Sequence, residues 1–184
     1  MKELLALPPC RVCGGTAFEH VNVLWADLIS QWGLTDDEAK YVNVQQGTRC
    51  NLCGSNVRSI ALAEAILRYF GATTTLREWV TSPLARNLRL LEINEAGALS
   101  SVLQSAPGHR LVQYPDYDMM ALDLDSGSFD AVVHSDTVEH VADSLQGLKE
   151  CHRVLKPGGM FLHCSDHSRT AHKAQPGAST EFSR

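Results

Sequence analysis

Apolar positions recur along the chain in two rhythms. In "VRSIALAEAILRYFG", Ile60, Ala63, Leu67 and Phe70 fall on one side of a helix that Gly71 would stop. Thr35 with Glu38 forms a capping-box pattern, predicting a helix that opens at Asp36 and ends before Gly47. From residue 88 the rhythm changes. "LRLLEI", "HRLVQY", "SFDAVVHS" and "MFLHCS" are short apolar runs of strand length, and "AGALSSVLQSA" and "ADSLQGLKECHRVLKPGG" between them read as helices. The second of these helices has Asp143 as N-cap with Gln146 three residues on, Leu145, Leu148 and Val154 or Leu155 facing inward, and an end at Pro157-Gly158-Gly159. Alternating strands and helices predict an α/β fold: a Rossmann-like, mostly parallel sheet with flanking helices. The chain divides into residues 1–71, a connector over 72–87 with Ser82-Pro83 as its turn signal, the α/β domain over 88–165, and a polar, disordered tail over 166–184.

Composition narrows the class. With 184 residues the chain can bury one ordinary core and a small appendage. A net charge of -5 argues against a broad nucleic-acid surface or an anionic membrane as partner. Pro8 and Pro9 break the short apolar run at the start, and no stretch approaches membrane-spanning length. A cytoplasmic location is the expectation.

Four of the six cysteines form two C-x2-C pairs, Cys10 with Cys13 and Cys50 with Cys53, each followed by a glycine, Gly14 and Gly54. Two such knuckles bring four thiolates to the corners of a tetrahedron, which suits zinc. Four sulfurs leave the metal no open position, so its role would be structural. Cys151 and Cys164 lack this pattern and read as ordinary buried residues.

Residues 128–162, "SFDAVVHSDTVEHVADSLQGLKECHRVLKPGGMFL", resemble the second half of a class I S-adenosylmethionine-dependent methyltransferase. That family follows SFD-x-V with LEHV-x-D and a helix ending in RVLKPGG. Here Val138 stands for the leucine of LEH, and Asp123 and Ser126 replace a proline and an acid. The resemblance implies that "LLEINEAGA" is the family's first motif, a strand followed by E-x-G-x-G-x-G. Glu92 is in place to support the turn, while Asn94, Ala96 and Ala98 occupy glycine positions, with Gly97 between two of them. Asn tolerates a left-handed backbone, whereas alanine methyls would crowd a ligand.

The resemblance further implies S-adenosyl-L-methionine as cofactor, contacted by Glu92, Asn94, Ala96, Gly97, Asp116, Asp118, Met119 and His134. Asp116 and Asp118 would reach ribose or adenine, or serve as turn residues after Pro115. Met119 would lie against the adenine. His134 and His140 fall at the cofactor mouth, neither assigned as a base. The spacing from Glu92 to Asp118 is too short for two full strands and a helix, so one strand-helix unit is missing or collapsed. The family's last elements do not fit in the remaining residues. The expected fold is therefore incomplete and C-terminally truncated, with an open sheet edge that a protein partner could cover.

A methyltransferase with structural zinc, acting on a small molecule or saccharide, is the leading expectation. The alternative is a catalytically inactive, zinc-binding remnant or interaction module. RNA methylation is disfavoured by the acidic balance.

Overall fold

The structure is a computed structural model and describes residues 7–164. The tail expected over 166–184 lies outside the described residues. Two cysteine loops open the fold. Strand β1 (Phe18–His20) pairs antiparallel with β2 (Thr48–Cys50), and the chain between them forms helices α1 (Ala26–Trp32) and α2 (Asp36–Gly47). Helix α2 starts where the capping box predicts. Thr35 Oγ1 accepts from Glu38 N–H, and the Glu38 carboxylate accepts from Thr35 N–H at 2.8 Å. Helix α1, which the sequence reading missed, ends on Gly33 in the left-handed region at φ 61°.

Helix α3 (Val57–Tyr69) follows the second cysteine loop, and Gly71 is left-handed beyond its end. Its most buried face is Ser59, Leu62, Ala63, Ile66 and Leu67. The predicted stripe is therefore rotated: Ile60 and Phe70 lie at its margin, partly buried. Residues 72–87, read as a connector, carry α4 (Leu76–Val80), capped by Thr75 and Glu78 in a second capping box. Its Trp79 is fully buried and stacks on Phe70. One apolar core runs from Cys10 and Cys50 through α3 and α4 to Leu90, Ala131 and Val133 of the sheet. The cysteine unit and the sheet thus share a core.

Four strands form a parallel sheet in the order β4-β3-β5-β6: β3 (Leu90–Ile93), β4 (His109–Val112), β5 (Phe129–Ser135) and β6 (Leu155–Cys164). Helix α3, α4 and the short α5 (Ser100–Leu103) cover one face, where Leu90, Ala131 and Val133 point. Helix α6 (Ser144–Val154) covers the other, packing Cys151 and Val154 on Leu91, Ile93 and Val132. Helices on both faces of a parallel sheet make this the expected Rossmann-like α/β architecture.

Three details depart from the sequence reading. Helix α6 keeps its predicted Asp143 cap, but its buried face is Gly147, Cys151 and Val154, while Leu145 and Leu148 are exposed. Gly147 faces Met119, and a Cβ there would sit 3.4 Å from Met119 Cγ, in ordinary contact. Helix α6 also ends at Val154, ahead of the Pro-Gly-Gly run, and β6 begins at once at Leu155. A register shift opposite residues 129 to 131 absorbs Pro157-Gly158-Gly159 into the strand.

Residues 113–128 join β4 to β5 with neither a helix nor a sheet strand. Arg153 holds this segment to α6, donating to the carbonyls of Leu122 at 2.7 Å and Leu124 at 2.8 Å, while Glu150 accepts from Leu122 N–H.

Candidate functional sites: a four-cysteine centre and the turn after the first sheet strand

The sulfurs of Cys10, Cys13, Cys50 and Cys53 all lie within 4.8 Å of one another. Cys10 and Cys53 are 3.7 Å apart and Cys13 and Cys50 3.6 Å, far beyond a disulfide bond. Tetrahedral zinc with sulfur bonds of about 2.3 Å sets its ligands about 3.8 Å apart, so the donor set fits that ion. The two loops are built alike. Gly14 N–H donates to Cys10 O and Gly54 N–H to Cys50 O, with Gly14 at φ 81° and Gly54 at φ 72°. Only glycine takes this backbone cheaply, which explains why each pair is followed by one. Gly15 N–H donates to Cys13 Sγ at 3.4 Å. Burial pushes the Cys10 and Cys13 thiols up. Burial raises Cys53 as well, but donors at Ser55 and the neighbouring thiols bring it down to about 7. The cluster therefore has a ready first thiolate.

The second site is the turn after β3. Glu92 is buried and is the turn's anchor. Its carboxylate accepts from Ala96 N–H at 2.6 Å and from Ser100 Oγ at 3.3 Å, and lies 2.6 Å from His109 Nε2. His109 was absent from the sequence reading; it is brought in by the register that pairs β3 with β4, a contact with no local signal. Asn94 is left-handed at φ 53°, as its side chain permits, and its Oδ1 accepts from Tyr114 N–H. Glu95 at φ 51° and Gly97 at φ 57° continue the left-handed turn. Ala96 is buried in the core shared with Leu99 and Leu103, so its methyl points away from the open side. Ala98 and Gly97 are exposed. Of the two alanines at glycine positions, Ala96 is buried and Ala98 is exposed.

The remaining predicted residues separate. Asp118 folds onto its own turn, accepting from Met120 N–H at 2.8 Å, which is the turn role left open for it. Asp116 is exposed. Met119 is buried beside Gly147 and packs with Leu91, Ile93 and Val132 of the sheet. His134 reaches the same sheet edge as the turn, in register with Ile93. It is fully buried, neither ring nitrogen has a hydrogen-bond partner, and the ring stacks on His163. Burial, and then the charge of His163, lower its pKa to about 4. His140 is exposed in a 3-10 turn, Val138–His140.

Arg58 and Asp136 were not singled out from sequence. Arg58, in the first turn of α3, pairs with Asp136 at the end of β5 at 2.5 Å. Asp136 is itself left-handed at φ 50°.

In open parallel sheets, ligands bind outside the carboxyl ends of the strands, where this turn, His134 and Asp136 all lie. Residues 75–163 match the methyltransferase domain family. That segment, just under half of the chain, is similar to the class I S-adenosylmethionine-dependent methyltransferases. It is 35% identical over 123 residues to a demethylmenaquinone methyltransferase of Staphylococcus epidermidis, covering 66% of this chain and 44% of that protein. It is 40% identical over 58 residues to a ubiquinone biosynthesis O-methyltransferase of Cereibacter sphaeroides, covering 32% of this chain and 23% of that protein. The chain thus spans less than half the length of these two relatives. The solved CurJ carbon methyltransferase is similar with a TM-score of 0.43 at 15% identity, over 58% of this chain and 34% of that one. Among the described residues, no helix is long and apolar enough to cross a membrane.

Proposed function

We propose that the protein is an S-adenosyl-L-methionine-dependent methyltransferase for a small-molecule acceptor, with a structural zinc ion on Cys10, Cys13, Cys50 and Cys53. The observation that carries the reading is the Glu92-anchored turn. A buried carboxylate fixes Ala96 N–H and leaves the left-handed, exposed Gly97 at the carboxyl edge of β3. Backbone of that shape permits close approach of a ligand.

When bound, the cofactor supplies an already activated methyl group, so the protein's task is to bind, orient and exclude water. Asn94 and Gly97 would hold the cofactor, with Glu92 acting behind them through Ala96. His134, fully buried beneath the mouth and uncharged at physiological pH, would add no second positive charge beside a sulfonium. Asp116, on the exposed segment after β4, and Asp118, whose Oδ1 accepts from Met120 N–H, would be the acids to meet ribose or adenine. Two matched relatives are named for demethylmenaquinone and for ubiquinone biosynthesis, which favours a small-molecule acceptor of that kind over a saccharide for this chain. The net charge of -5 supports an acceptor other than nucleic acid.

Isothermal titration of the zinc-loaded protein with S-adenosylhomocysteine tests the reading, with Gly97→Trp as the pocket-blocking control. Micromolar binding that the control loses while remaining folded by circular dichroism supports it. A folded protein that binds nothing leaves the zinc-bearing, inactive module.

A further inference from the structure

The cysteine centre and the turn after β3 are joined by one short stretch of chain, residues 53–59. Cys53 and Gly54 close the second cysteine loop, and the Cys50 N–H donates to Ser55 O at 2.9 Å. The next residue, Asn56, pairs with Arg49 and caps α3, its Oδ1 accepting from Ser59 N–H at 2.9 Å. The first turn of α3 is therefore built directly onto the metal loop.

That same turn lies beside Gly97 and is bonded to Asp136. Ser59 Oγ lies 3.5 Å from where a Cβ on Gly97 would sit. Arg58 donates through Nη1 to Asp136 Oδ1 at 2.7 Å, with Nη2 2.5 Å from Oδ2, in a bidentate arrangement. Asp136 is held in turn: its N–H donates to Cys164 O at 2.8 Å, and its Oδ2 accepts from Ser135 Oγ. Gly97 and Asp136 follow neighbouring strands, β3 and β5, at the same end of the sheet.

We propose that Arg58 is a positioning residue that clamps α3 across the mouth between β3 and β5, so that the metal loop sets the shape of the cofactor turn. This rests on the reading of that turn as the cofactor site. Arg58 does not touch the reacting atoms; it acts through Ser59 and Gly97 on one side and Asp136 on the other. The four-cysteine centre then does more than staple the amino-terminal unit, because its loop carries the clamp.

Amide hydrogen exchange of the zinc-loaded protein reads the link without any ligand. Arg58→Ala and Asp136→Ala should each speed exchange at the Ala96 and Leu99 amides, leave Val132 and Ile66 in the cores protected, and weaken S-adenosylhomocysteine binding about tenfold. The double variant should be no worse than either single one, and Arg58→Lys should recover part of the affinity but not all of it. Removing zinc with a chelator should speed exchange at Ala96 and Leu99 together with the amino-terminal unit, while Val132 in the second core cluster stays protected. Unchanged exchange at these amides in both single variants would overturn the proposal, as would a uniform rise across every element, which marks general destabilisation. Local loosening in a protein that binds no S-adenosylhomocysteine would uphold the clamp and overturn the cofactor reading instead.

Discussion

The four-cysteine centre and the turn after β3 are both small polar sites at strand ends, yet they are specified in opposite ways. Each cysteine loop carries its own instructions. Two sulfurs, a left-handed glycine and a backbone bond from that glycine to the first cysteine are contained in five residues. The turn after β3 has local bonds from Glu92 to Ala96 and Ser100 but also draws on distant groups: His109 from the start of β4, Tyr114 from beyond its end, and Ser59 from α3. A locally encoded site survives rearrangement of its surroundings, whereas a site assembled from distant elements is only as well formed as the fold that gathers them.

The largest test of this contrast is metal removal. A structural zinc on four thiolates contributes on the order of 10 kcal/mol to the unit it organises. Chelation, or Cys50→Ser, should therefore melt the amino-terminal unit, read as lost zinc stoichiometry and a large fall in thermal midpoint. A midpoint that chelation leaves unmoved would sink the structural-zinc assignment.

Next in size is the anchor of the turn after β3. Glu92→Ala leaves Ala96 N–H and His109 without their buried acceptor and should cost about 3 kcal/mol in urea denaturation. His109→Phe, on the partner strand, should recover part of that loss in the double variant, because it removes the group left unpaired.

The third test uses acid. His134 has a folded-state pKa of about 4 against an ordinary 6.5, so the folded protein favours the neutral ring. Falling pH protonates the unfolded chain first. Stability from this residue is complete above about pH 6.5 and drains away as pH falls toward 4, amounting to about 2 kcal/mol between pH 7 and 5. Denaturant midpoints at those two pH values should converge in His134→Phe; equal acid sensitivity in variant and parent would show that another group is responsible.

The smallest effect is at Gly97. Gly97→Ala forces a β-carbon into φ 57° and should cost about 1 kcal/mol, although the space beside it is ample. The same substitution at Gly14 should cost a similar amount of stability but lower zinc affinity as well.

Legibility in the sequence follows the same division. The thiol pairs, the Thr35 and Asp143 caps and the alternating strands were readable because each depends on near neighbours. Thr75 and Glu78 carried the same cap signal as Thr35 and Glu38, and α4 could have been read from it. The turn's location was readable from Glu92, but its geometry was not, since Ala96 turns inward only because the core beneath it accepts a methyl. Leu145 and Leu148 misled for a related reason. Apolar periodicity chose them, whereas the face that meets the sheet carries Gly147, Cys151 and Val154. Arg58 gave no signal, because its partner Asp136 lies 78 residues away.

The central claim is that residues 94–99 form a cofactor turn held in shape by the metal unit. Amide NMR of the zinc-loaded protein during titration with S-adenosylhomocysteine addresses it directly. The account predicts saturable shifts at Asn94 to Leu99, at His134 and at Asp136, with the cysteine loops unmoved. Absent shifts, or shifts confined to residues remote from the carboxyl ends of β3 and β5, would contradict it.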